Sequence, residues 1–80
     1  MARLLFLGRL EDAAGAAQLE VPLAAPTPLA ELLALLDPAL SQALSGPRLR
    51  LALNGTLVSA EGLVVAEGDE LAFLPPVSGG

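Results

Sequence analysis

From Arg48 to Leu53 the chain reads Arg-Leu-Arg-Leu-Ala-Leu, and Asn54-Gly55 follows directly. A period of two places Leu49, Leu51 and Leu53 on one face of a strand and Arg48, Arg50 and Ala52 on the other. Asn-Gly suits a tight hairpin turn whose central residues need positive φ. A chain with this segment must build a sheet with one buried face, and it must supply something apolar to cover that face.

The cover lies upstream. Thr27 suits a helix N-cap and Pro28 the first helical position. Leu29, Leu32, Leu33 and Leu36 then recur at i, i+3, i+4 and i+7, which gives one apolar stripe. Burying each leucine contributes roughly 1.5–3 kcal/mol, so this stripe is the expected main contact of the sheet. Asp37-Pro38 ends the helix or restarts it, residues 39–45 make a second short turn, and Gly46-Pro47 closes it.

The remaining segments add strands. Residues 3–8 are the first, residues 9–17 a short helical turn ending near Gly15, and residues 18–23 the second strand. Pro22 has no N–H for a ladder, so that strand lies at an edge or ends there. After the hairpin turn, residues 57–59 form a short strand and residues 61–67 cross over. Glu67-Gly68-Asp69 turns, residues 70–74 form the last strand, and Pro75-Pro76 stops it. The order strand, strand, helix, strand, strand, strand fits an α+β fold: a β-grasp, or ubiquitin-like, mixed sheet packed on one main helix. With 80 residues there is room for one domain. We expect a β-grasp domain over residues 1–74 and a flexible C-terminal tail over residues 75–80.

Composition narrows the chemistry. Cys, His and Lys are all absent, while hydrophobic residues make up 54% and the net charge is −5. The usual nucleophile–base pairs, disulfides, Cys-based metal sites and Schiff bases are therefore excluded. The sequence is not that of an enzyme acting on its own. Nucleic acid is not an expected partner, because basic residues are sparse, four in an acidic chain, where binding phosphates normally takes many. An anionic membrane surface is excluded on the same ground. Apolar runs stop well short of the roughly 20 residues a membrane span needs, and Glu11 and Asp12 interrupt anything resembling a signal peptide. A cytoplasmic location is expected. Glu67, Asp69 and Glu70 read as a solvated turn rather than a metal site, and no bound cofactor or metal is expected.

Strand alternation also defines an outer face. Leu4, Phe6, Leu71 and Phe73 turn toward the helix together with the leucines of the third strand. Leu5, Leu7, Ala72 and Leu74 fall on the other side, with Arg3, Arg9, Arg48, Arg50 and Glu70 around them. An apolar centre within a polar rim is the usual anatomy of a protein interface.

The tail offers one further chemistry. Pro75-Pro76 favours an extended backbone, and residues 75–80 can reach up to about 20 Å. Val77 and Ser78 lead to Gly79-Gly80, a pair without side chains that can thread a narrow channel. The reactive group is the α-carboxylate of Gly80, which becomes an electrophile after activation as an acyl-adenylate. Sulfur replacing the AMP would then give a thiocarboxylate. Taken alone, a terminal Gly-Gly also describes a frayed end.

The segment Gly68-Asp69-Glu70-Leu71-Ala72-Phe73-Leu74-Pro75-Pro76-Val77-Ser78-Gly79-Gly80 resembles the C-terminal signature of the small, sulfur-carrying subunit of molybdopterin synthase. Leu53-Asn54-Gly55-Thr56-Leu57-Val58-Ser59, the opening Leu4-Leu5-Phe6-Leu7 and Gly15 match the same family. The resemblance implies that Gly80 is adenylated by a ubiquitin-activating-type adenylyltransferase using ATP and Mg²⁺. It also implies that a sulfur donor such as a cysteine desulfurase supplies the thiocarboxylate sulfur, and that Gly79 is the thin neighbour the chemistry requires. The loaded tail would enter the large subunit of molybdopterin synthase and give sulfur to cyclic pyranopterin monophosphate in molybdenum cofactor biosynthesis, within a heterotetramer. Leu5, Leu7, Ala72, Leu74, Pro75, Pro76, Val77, Ser78, Arg48 and Arg50 are the expected partner-binding residues. Many relatives carry aromatics at the positions of Leu7 and Leu74 and a basic residue near Glu11, so the interface departs from the pattern more than the tail does. The alternatives are a carrier for thiazole, tRNA thiolation or cysteine synthesis, a ubiquitin-like protein modifier, and a plain interaction domain.

Overall fold

A computed structural model describes residues 1–46 and 48–76. Seven strands and three short helices follow in the order β1 (Ala2–Phe6), α1 (Leu10–Ala14), β2 (Gln18–Val21), β3 (Thr27–Pro28), α2 (Leu29–Ala34), α3 (Pro38–Ala43), β4 (Arg50–Leu53), β5 (Thr56–Val58), β6 (Val64–Val65) and β7 (Glu70–Leu74). Five strands form a mixed sheet in the order β2-β1-β7-β4-β5, while β3 and β6 pair by themselves. The two chain-end strands, β1 and β7, lie parallel at the centre, and every other pairing is antiparallel. This is the expected β-grasp.

The core forms where the sheet meets the helices. Leu4, Leu32, Val65, Leu71 and Phe73 are the largest fully buried side chains. The Phe6 and Phe73 rings stack with centroids 5.7 Å apart, in the range that favours offset aromatic pairs. Leu10, Leu40 and Leu44 close the far side of the same cluster. Of the expected stripe, Leu32 and Leu33 are buried, and Leu29 and Leu36 pack partly against the core. No polar or charged side chain is buried among the described residues, so the core stands on apolar packing alone.

Three local features differ from the sequence reading. Thr27 is not a cap: it pairs with Val65 as part of β3, and its hydroxyl donates to the Ala25 carbonyl. The helix begins one residue beyond Pro28, and the Leu29 N–H donates to the Leu63 carbonyl at 3.0 Å. A neighbouring loop thus satisfies the free helix N–H that a capping side chain would otherwise take. As expected, the helix stops and restarts at Asp37, whose carboxylate accepts from the Ala39 N–H at 3.1 Å with Pro38 in the first turn. Finally, the strand expected from residue 48 starts at Arg50, because the Leu49 N–H turns back to the Gly46 carbonyl.

The expected turns are present. Gly15 ends α1 in the left-handed conformation at φ 76°. Asn54 and Gly55 both have positive φ, 51° and 86°, as the hairpin between β4 and β5 requires.

Candidate functional site: the outer sheet face and the root of the tail

The register assembles the outer face row by row. Ala72 of β7 lies between Leu5 of β1 and Ala52 of β4, and Ala52 in turn pairs with Leu57 of β5. Leu5, Ala72, Ala52 and Leu57 therefore form one apolar row across four strands. One step toward the end of β7, Leu74 pairs with Arg50, and Leu7 continues from β1 with its N–H on the Phe73 carbonyl at 3.1 Å. One step the other way, Arg3 pairs with Glu70 and faces Glu20, and its guanidinium lies 3.4 Å from the Glu70 carboxylate.

The chemistry of the side chains explains their exposure. Leu7 and Leu57 are 41% and 62% exposed. Leu5, Ala72 and Leu74 are half-buried by their cross-strand neighbours, while Arg48 and Arg50 stand exposed at the start of β4. The expected apolar centre and its basic edge thus occupy a single surface. Sequence reasoning missed Leu57. A two-residue turn at Asn54-Gly55 pairs Leu53 with Thr56 and Ala52 with Leu57, so the signal was present in the hairpin register.

The tail leaves from this surface. Pro75 and Pro76 are half-buried at the end of β7, beside Arg48. Val77, Ser78, Gly79 and Gly80 lie outside the described residues.

The acidic turn is a structural device. Asp69 accepts from the Ala66 N–H at 2.9 Å and from the Asn54 side-chain amide at 3.0 Å. Both bonds favour the ionised form, the Ala66 bond most, and they hold the Asp69 carboxyl below its usual range. Glu67 is lowered first by its bond with the Met1 ammonium and then by the Leu23 N–H. Asn54 completes the arrangement by accepting from the Glu70 N–H at 2.9 Å. Among the described residues no group of three or more His, Cys, Asp or Glu is placed to hold a metal ion, and no helix is long and apolar enough to cross a membrane.

A β-grasp sheet whose last central strand runs directly into a Pro-Pro root, beside a partly exposed apolar row, defines a protein of the ubiquitin-like class. The chain belongs to the ThiS family, whose model matches residues 4–80. Among solved structures it is similar to SAMP1 from Haloferax volcanii, with 28% identity, a TM-score of 0.80, and coverage of 99% of this chain and 98% of that one. It is also similar to the small archaeal modifier protein 1 from Methanosarcina acetivorans, with 30% identity, a TM-score of 0.73, and coverage of 99% and 95%. A third likeness is to a chain in the complex of subunits 1 and 2 of molybdopterin-converting factor from Helicobacter pylori 26695, with 26% identity, a TM-score of 0.67, and coverage of 99% and 97%. Among curated proteins none matches the sequence.

Proposed function

We propose that this chain is the sulfur-carrying small subunit of molybdopterin synthase and that Gly80 is its working residue. The family match supports the sulfur-carrier part of this reading, because it runs from the first strand through Gly79-Gly80. The outer apolar row beside the tail root supports it, and so does the likeness to a chain solved in complex with subunit 2 of molybdopterin-converting factor.

The chemistry follows from the carboxylate. An oxygen of Gly80 attacks the α-phosphorus of ATP in the active site of a ubiquitin-activating-type adenylyltransferase that supplies Mg²⁺, and pyrophosphate leaves. A persulfide on a donor such as a cysteine desulfurase then attacks the acyl carbon and expels AMP, and a thiol reduces the resulting acyl disulfide to the thiocarboxylate, leaving a disulfide behind. The resulting thiocarboxylate is carried on the extended tail into the large subunit. There it delivers sulfur to cyclic pyranopterin monophosphate, and two such deliveries build the dithiolene. The carrier contributes no general acid or base of its own, so its work is to dock and to present one atom. Leu5, Leu7, Ala72, Leu74 and Leu57 would dock, Arg48 and Arg50 would rim the contact, and Pro75, Pro76, Val77 and Ser78 would line the path of Gly79-Gly80.

The test is the intact mass of the protein after incubation with the adenylyltransferase, ATP and a sulfur source. A mass increase equal to one oxygen replaced by sulfur, absent from a variant lacking Gly80, is the expected result. Conversion of cyclic pyranopterin monophosphate by the loaded protein with the large subunit then separates this pathway from thiazole, tRNA thiolation or cysteine synthesis. No mass change, with an enzyme active on another carrier, would sink the proposal.

A second reading is a ubiquitin-like modifier joined through Gly80 to lysines of other proteins. The likeness to two small archaeal modifier proteins favours it. Gly80-dependent high-mass adducts in cells would distinguish it.

A further inference from the structure

The chain carries a net charge of −5, yet basic groups gather where the tail begins. Two hollows flank Pro76. One, of about 570 Å³, opens on the outer face between Arg48, Arg50, Leu57 and Pro76. The other, of about 260 Å³, lies between Arg9, Arg48, Pro75 and Pro76, over Leu10 and Ala43. Arg48 and Pro76 line both, so three guanidinium-bearing side chains surround the root of the tail.

Their charge is uncommitted. Arg9, Arg48 and Arg50 are exposed, and among the described residues Arg3 is the only arginine in an ion pair, with Glu70. Arg3 lies at the opposite end of β1, where Glu20 and Glu70 face it and where Glu67 and Asp69 bind backbone N–H groups. Glu11 and Asp12 follow Arg9 on α1 but line neither hollow. The distribution is therefore polar along the central strands. Among the described residues, carboxylates engaged within the fold crowd one end, and arginines without an ion pair ring the other.

We infer that Arg9, Arg48 and Arg50 form a cationic collar that docks on carboxylates clustered around the opening through which a partner protein admits the tail. This rests on the carrier reading of that tail. Guanidinium groups match carboxylates in paired hydrogen bonds better than a point charge does. A chain of net negative charge is repelled by an acidic surface in most orientations. With the collar forward the interaction becomes attractive, so the field selects the orientation in which the tail enters. Such complementarity acts chiefly on the association rate and is screened by salt.

The test is stopped-flow association of the full-length protein with the purified adenylyltransferase, with ATP–pyrophosphate exchange measured alongside. The wild-type association rate is expected to fall on the order of tenfold between about 0.05 and 0.3 M NaCl. The double change R48Q/R50Q is expected to lower it about tenfold at low salt and to flatten the salt dependence, with little change in dissociation. Arg9→Gln should slow association about threefold, whereas Arg3→Gln, which removes the same charge at the far end, should alter it by less than about twofold. Thermal melts of each variant establish that it folds. Salt-insensitive association, R48Q/R50Q associating like the wild type, or an equal effect of Arg3→Gln would overturn the collar. Salt-sensitive binding with no pyrophosphate exchange would uphold the collar and overturn the carrier reading. No binding at all would overturn both.

Discussion

Gly8 lies directly against the ring of Pro75: a β-carbon on Gly8 would stand 3.0 Å from Cγ of Pro75. Gly8 also has φ +57°, a conformation that costs most residues about 1 kcal/mol. The glycine two residues beyond β1 and the residue that begins the tail are therefore fitted to each other. Because β1 and β7 run parallel at the centre of the sheet, their ends emerge side by side, and this contact seats Pro75 at the root of the tail.

Gly8→Ala tests the contact. The backbone strain and the displaced Pro75 ring together should destabilise the fold by about 1–2 kcal/mol, or several degrees in Tm for a domain of this size. Gly15→Ala is the control. Gly15 has φ +76° with nothing within 4 Å of the added carbon, so it carries the strain alone. Thermal melts of both variants give the part due to Pro75 by difference. Thiocarboxylate formation should fall further for Gly8→Ala than for Gly15→Ala, because Pro75 at the root of the tail is displaced.

Phe73→Ala addresses the core. Phe73 has no exposed surface and stacks on Phe6. Truncating a buried phenylalanine costs about 3–5 kcal/mol, which approaches the whole stability of many small domains. The variant is expected to lose cooperative unfolding in urea. A retained sharp transition near the wild-type midpoint would contradict the burial described for this ring.

The outline of the fold was legible because its longest elements carry a clear period. Alternation in β1, β4 and β7 turned Leu4, Phe6, Leu49, Leu51, Leu53, Leu71 and Phe73 toward the helix; five of them are buried, while Leu49 and Leu53 pack only partly against the core. The Asn54-Gly55 turn was equally plain, since only a few residue pairs tolerate its backbone. Short elements escaped for the converse reason. A two-residue strand such as β3 or β6 has no period to detect, so Thr27 and Pro28 looked like a helix start. The free N–H of Leu29 is met by Leu63, a partner that is distant in sequence. Leu57 was overlooked because a three-residue strand alternates too briefly to declare its face. The tail was read from residue type alone, through Pro75-Pro76 and Gly79-Gly80, and the likeness of residues 4–80 to the ThiS family extends over that same segment.

The acidic turn makes stability depend on pH. Asp69 has a lowered folded-state pKa, caused first by the Ala66 N–H and then by Asn54. A depressed carboxyl contributes stability that is fully present above its unfolded value, about pH 4, and is lost as pH falls through the folded value. Asp69→Ala should therefore lower the urea midpoint at neutral pH. The gap between variant and wild type should close as the solution is acidified below about pH 4. A gap independent of pH would assign the effect to packing rather than to the carboxylate.

Leu57 offers the sharpest separation of docking from folding. It is 62% exposed, so Leu57→Asp should change stability by no more than about 0.5 kcal/mol. It nevertheless ends the row that begins at Leu5 and passes through Ala72 and Ala52. A charge buried there against an apolar partner surface has nothing to compensate it, and a loss of about 1.4–2.8 kcal/mol, tenfold to a hundredfold in Kd, is expected. Calorimetric titration against the large subunit, beside a urea melt of the free variant, reads the two quantities independently. Weakened binding with an unchanged melt would place Leu57 in the docking face. Unchanged binding would confine that face to β1, β7 and β4, because β5 lies at the edge of the sheet.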